Sequence, residues 1–176
     1  TIIILTDNTS MITTGTLSKI TTKIIKTNIT TKMENTENVN FKFIAFNCNG
    51  FNSNSEYIKN LAHTYDCLFL SELWLTETEN IQLHNYNKDF NIFISYAKKG
   101  MSGRPYGGTA LMIRKTLPTL EIIFQDDYAT IARIKSNNFS KLIAGVCLQC
   151  ITNIPNYREI YSTQLANIGG IIKLFQ

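Results

Sequence analysis

Two polar side chains in this sequence stand where chemistry collects in an open sheet. Asn47 follows the apolar run Phe41-Lys42-Phe43-Ile44-Ala45-Phe46, and Glu72 follows Cys67-Leu68-Phe69-Leu70-Ser71. Both runs are too short for helices and read as strands, the second one fully buried. A carboxylate and an amide at the C-terminal ends of neighbouring strands lie where ligands bind in α/β sheets. An ionised Glu in that place is costly to desolvate unless it meets a donor or a cation. A hard divalent cation such as Mg²⁺ suits it, because Mg²⁺ takes oxygen ligands and keeps several waters. Glu72 capping the next turn, or standing in solvent, is the plainer reading of the same residue.

Other candidates carry less. Lys98-Lys99-Gly100-Met101-Ser102-Gly103-Arg104-Pro105-Tyr106-Gly107-Gly108 is long, basic and rich in glycine. Lys98, Lys99, Arg104 and the glycine amides can bind phosphate there, and a solvated hairpin loop explains the same residues equally well. Cys147 and Cys150 have C-x-x-C spacing, but zinc needs four ligands, and Cys48 and Cys67 would have to come from distant strands. Strand cysteines are usually small inert hydrophobes, and that is the preferred reading. His63 falls near the end of a predicted helix, where a cationic ring suits the dipole. His84 lies in a polar turn, and neither histidine reads as catalytic.

The elements that must position these residues follow from pattern. A helix is expected over 56–63, with Tyr57, Ile58, Leu61 and Ala62 on its buried side and Ser53 or Ser55 as cap. With the strands on either side it makes a strand–helix–strand unit. Residues 92–96 read as a further strand. Residues 109–113, 120–124, 129–134 and 142–148 read as four successive strands, and the absence of helices between them points to antiparallel pairing. Tyr157, Ile160, Tyr161, Leu165, Ile168, Ile171 and Ile172 recur at helical spacing, with Gly169-Gly170 expected to weaken, break or kink that helix. Residues 1–40 are dominated by Thr, Ile and Lys without a sustained period and read as a flexible leader, so the domain is expected over 41–176.

Composition sets outer bounds. A chain of 176 residues with 44% hydrophobic content is long enough for one domain with a real core. A net charge of +4 permits an anionic partner such as nucleic acid without demanding one. The four cysteines are scattered through apolar segments, which points to reduced thiols and an intracellular site. No apolar run approaches the ~20 residues of a transmembrane helix.

Three stretches taken together resemble a known family. Ile44-Ala45-Phe46-Asn47-Cys48-Asn49-Gly50, Leu70-Ser71-Glu72-Leu73-Trp74-Leu75 and Gly103-Arg104-Pro105-Tyr106-Gly107-Gly108-Thr109-Ala110 look like the start of the endonuclease/exonuclease/phosphatase superfamily. Within it they resemble the apurinic-endonuclease-like domain of non-long-terminal-repeat retrotransposons. The resemblance implies an α/β (α+β) fold, a two-sheet β-sandwich flanked by helices. It implies Mg²⁺- or Mn²⁺-dependent hydrolysis of a phosphodiester in DNA, in a protein linked to a reverse transcriptase and nuclear when functional. Glu72 takes the place of the family's metal-binding glutamate, and Asn47 that of the asparagine beside the metal.

Two departures qualify those expectations. Cys147 stands where the family places a tyrosine, and a thiol cannot make the phenol's phosphate contact. The family's Asp-x-Asn and Ser-Asp-His motifs, which supply further ligands and the general base, do not occur before Gln176, and neither His63 nor His84 matches the missing histidine. The expectation is therefore an incomplete sandwich, with an apolar sheet face uncovered and negligible activity in this chain alone. Two other readings stand beside it. One is a phosphatase-branch member of the same fold. The other is a non-catalytic nucleic-acid-binding remnant using Lys98, Lys99, Arg104, Arg114 and Lys115.

Overall fold

Short apolar runs bounded by turns make strand the commonest element among the described residues. In order the elements are β1 (Ile2–Thr6), β2 (Thr9–Thr13), β3 (Ile24–Thr30), β4 (Asn40–Asn47), helix α1 (Ser55–Thr64), β5 (Cys67–Ser71) and the single helical turn α2 (Ile81–His84). There follow β6 (Phe90–Ser95), β7 (Lys98–Lys99), β8 (Pro105–Tyr106), β9 (Thr109–Arg114), β10 (Thr119–Gln125), β11 (Ala129–Ser136), β12 (Phe139–Val146) and helix α3 (Tyr157–Leu174). The computed structural model describes residues 2–6, 9–13, 24–30, 40–100, 103–117, 119–136, 139–148 and 156–174.

Two five-stranded sheets form, one in the order β3-β4-β5-β9-β6 and the other β10-β11-β12-β1-β2, and β7 and β8 make a small hairpin. Alternation along the strands sorts their side chains into layers. From β4, β5 and β9, the residues Ile44, Phe46, Leu68, Leu70, Ala110 and Met112 pack with Ile58, Leu61 and Ala62 of α1. Their neighbours Phe43, Ala45, Cys67, Phe69, Leu111 and Ile113 face the second sheet through Ala132, Ile134 and Ile143. The outer face of the second sheet, including Ile131, Ala144 and Val146, is buried with Ile168 of α3. The result is a helix–sheet–sheet–helix sandwich. The two sheets approach closely at Gly145, where an added Cβ would lie 2.0 Å from Phe69 Cδ2.

The expected strand–helix–strand unit is present. β4 and β5 are parallel neighbours with Asn47 opposite Ser71, and α1 makes the crossover. The structure departs from expectation elsewhere. The four successive strands do not form one antiparallel set: β10, β11 and β12 do pair that way, but β9 inserts between β5 and β6 in the first sheet. Its run Ala110–Ile113 is fully buried, as suits a central strand covered on both faces. Residues 1–40, read as a flexible leader, contain three paired strands: β1 pairs with β12 and β2, and β3 with β4. Thr and Ile favour extended backbone, and the partners that fix it lie more than a hundred residues away for β1. The sheet face expected to be bare carries α3, which runs unbroken through Gly169-Gly170. Helix α1 is capped by neither Ser53 nor Ser55, its N-cap being Asn54, and Tyr57 is 39% exposed with its ring against Phe46.

Candidate active site

Parallel pairing of β4 and β5 brings the two chain segments that leave them side by side. Cys48 N donates to Ser71 O at 2.7 Å, Gly50 N to Glu72 O at 2.9 Å and Phe51 N to Leu73 O at 2.8 Å. A third segment joins from the start of β9: Leu73 N donates to Gly108 O at 3.2 Å and Trp74 N to Gly107 O at 3.0 Å. Asn47 and Glu72 thus stand at adjacent strand ends, as their positions in the sequence predict.

The turn after β5 is unusual in its backbone. Glu72 has φ +53° and Trp74 φ +56°, both left-handed, with buried Leu73 between them. Such a conformation costs an L-residue about 1–2 kcal/mol, so it persists only where its surroundings hold it. Here the hydrogen bonds to Gly107 and Gly108 and the burial of Leu73 do so. The side chains of Glu72 and Trp74 then meet: Trp74 Nε1 donates to Glu72 Oε2 at 3.0 Å, and Gly107 N donates to the same oxygen at 3.3 Å. Glu72 Oε1 accepts no hydrogen bond among the described residues. The indole packs on Gly50, where a Cβ would lie 2.8 Å from Trp74 Cε3, and the Arg104 guanidinium sits 4.3 Å from its ring centroid. Asn47 Oδ1 accepts from Asn49 N at 3.0 Å, which fixes the amide and leaves Nδ2 to donate. Cys48, beneath the site, is fully buried; desolvation first, then the Glu72 charge, push its thiol well above its ordinary range, against a smaller lowering by a Ser71 backbone hydrogen bond. It is a neutral core thiol and not a nucleophile.

The donor chemistry fits a hard divalent cation: a carboxylate with one unclaimed oxygen at one strand end and, at the neighbouring strand end, an amide oxygen with a spare lone pair. No cluster of three or more His, Cys, Asp or Glu side chains suited to a metal occurs among the described residues.

The profile of the Endonuclease/Exonuclease/phosphatase family matches residues 44–163, more than half of the chain. The chain belongs to the endonuclease/exonuclease/phosphatase family. The match spans Asn47, Glu72, Arg104 and Cys147, and the layered α/β fold agrees with it. Enzymes of the endonuclease/exonuclease/phosphatase family are hydrolases of phosphate esters that generally depend on a divalent metal. No curated protein and no solved structure matches the chain.

The other candidates sort by their contacts. Arg104 reaches the site through Trp74 and is exposed. Lys98, on the hairpin, is paired with Asp127 through a short hydrogen bond, and that bond and charge raise its pKa. Lys99 is exposed and opposite Pro105. Cys147 donates its backbone N–H to Tyr128 O at 2.7 Å and is half-buried at the margin of the inter-sheet core, while Cys150 lies outside the described residues.

Arg114, a candidate nucleic-acid contact, is instead a fastener of α1. Its Nη2 donates to Ala62 O and Tyr65 O, its Nε lies 3.3 Å from Asp66 Oδ1, and its guanidinium covers the Phe90 ring at 4.7 Å. Lys115 Nζ is likewise spent on Asn87 O. His63 lines a groove of about 440 Å³ between α1 and Tyr86-Asp89-Phe90, which also takes in Phe51 and Arg114. Sequence reasoning gave Trp74, Gly50 and Gly107 no role. The signal it had was a tryptophan two residues after Glu72, the only one in the chain.

Proposed function

We propose that this chain is a nuclease-type hydrolase acting on the phosphodiester backbone of DNA, of the retrotransposon endonuclease kind, with Mg²⁺ or Mn²⁺ as cofactor. The observation that carries the reading is the convergence of Glu72 and Asn47 at the paired ends of β4 and β5, inside the stretch that matches the family. In this reading Glu72 Oε1 and Asn47 Oδ1 hold the cation. When bound, the cation neutralises charge that builds on the phosphate oxygens. Asn47 Nδ2 donates to a phosphate oxygen, which preorganises the site for developing charge. Arg104, exposed above Trp74, offers its remaining N–H groups to the next phosphate along the backbone. The Lys98–Arg104 hairpin and the net charge of +4 support an anionic polymer as the partner. The Arg-Pro-x-Gly-Gly pattern at Arg104–Gly108 supports the retrotransposon branch over the phosphatase branch. The commitments of Arg114 and Lys115 to backbone carbonyls weigh against a purely electrostatic binding module.

Supercoiled plasmid incubated with the chain at constant ionic strength, with and without Mg²⁺, tests this. The reading expects DNA binding that tightens with the cation and weakens in Glu72→Ala, with any nicking requiring the cation and slowing at least about a hundred-fold in that variant. Salt-sensitive DNA binding that is indifferent to both Mg²⁺ and Glu72→Ala, with no nicking, would select the binding module instead.

A further inference from the structure

We infer that Trp74 is the positioning residue of this site, its indole N–H turning the Glu72 carboxylate so that one oxygen is presented to a divalent cation. The inference rests on the reading of Glu72 as a cation ligand. Two donors, Trp74 Nε1 at 3.0 Å and Gly107 N at 3.3 Å, converge on the same oxygen, Oε2. A carboxylate so held cannot rotate freely, and its unclaimed acceptor capacity lies on Oε1. The indole that supplies the stronger of the two bonds is itself fixed. It lies against Gly50, where a side chain would collide at 2.8 Å, and under Arg104 at 4.3 Å from the ring centroid. Its backbone is tied to Gly107 O at 3.0 Å. The Gly107 peptide thus grips the turn at both ends, donating to Glu72 and accepting from Trp74.

A packing role alone would explain a buried tryptophan, but this ring is half-exposed and aims its one polar atom at the carboxylate. A tryptophan retained only for its surface has no need of that aim. Arg104 adds a consequence. Because it stacks on the same ring, a phosphate that engages Arg104 is linked to Glu72 through Trp74.

Because Trp74 is the only tryptophan, its emission reports on this contact directly. The full chain, titrated with Mg²⁺ and followed by tryptophan fluorescence and by calorimetry, tests the inference. The expected result is a saturable emission change in the wild type that is absent in Glu72→Ala. Trp74→Phe, which keeps the ring and deletes the N–H, is expected to bind Mg²⁺ about ten-fold more weakly at an unchanged melting temperature. Calorimetric Mg²⁺ binding that needs Glu72, with silent tryptophan emission and a Trp74→Phe affinity equal to wild type, would overturn the inference and leave the cation reading standing. An absence of Mg²⁺ binding in the wild type would overturn both. The fluorescence arm decides the matter even if Trp74→Phe does not fold.

Discussion

Glu72 and Trp74 adopt left-handed backbone that neither residue type favours, and hydrogen bonds to Gly107 and Gly108 and between their own side chains hold them there. Strain of this kind persists where the surroundings over-determine it, and such places are enriched at active sites. The identity of Glu72 as the candidate ligand was legible in the sequence because the apolar run of β5 stops abruptly at it. The role of Trp74 was not, since it depends on Gly50 and Gly107, which belong to segments far away in sequence. Two other residues carry a consequence for stability. Burial raises the Cys48 and Cys67 thiols above their ordinary value of 9.0, aided by the charges of Glu72 and Asp66 respectively. A group whose folded pKa is raised contributes stability that is complete below the unfolded pKa and is lost as pH rises above it. Stability should therefore fall above about pH 9, by up to ~1.4 kcal/mol per thiol for each pH unit. Thermal melts from pH 8 to pH 10 check this, and the Cys48→Ala, Cys67→Ala double variant should show a shallower loss. An equal slope in both proteins would mean that the thiols ionise as freely folded as unfolded.

At the scale of elements, the parallel β4–β5 pair with its α1 crossover is what places Asn47 beside Glu72, and its two halves were readable from apolar runs and helical spacing. The assignment of β9 was not readable. Its residues look like any hydrophobic strand, and only the two cores on either side of the first sheet select it as a central partner. The fastening role of Arg114 was hidden for a related reason, because a basic residue at a strand end does not reveal that helix carbonyls lie within its reach. One position in the contact between the sheets leaves no room for a side chain. Gly145 opposes the ring of Phe69, itself 2% exposed, at a separation that admits no side chain. Gly145→Ala should destabilise the fold by about 1–3 kcal/mol, as overpacking of a core does. Denaturant melts would register this as a lower midpoint at unchanged slope. A variant as stable as wild type would show that the sheets are not in close contact there.

For the molecule as a whole, the layered sandwich and its family membership agree with the fold class that the three sequence stretches implied. The pairing of β1 with β12 was hidden because it depends on a partner more than a hundred residues away, which a Thr- and Ile-rich stretch does not announce. Carboxylates stand in two places: Glu56 and Asp89 line the groove beside α1 with His63 and Arg114, and Glu72 stands at the strand end with Asn47 and Trp74. The proposed chemistry requires that Glu72 be the one that takes the cation. Amide chemical shifts of the ¹⁵N-labelled chain, recorded while Mg²⁺ is added, answer that most directly. Saturable shifts confined to residues 47–50, 72–74 and 107–108, lost in Glu72→Ala, are expected. Shifts that cluster instead on Glu56, Lys59 and Asp89, or that survive Glu72→Ala, would contradict Glu72 as the cation's ligand.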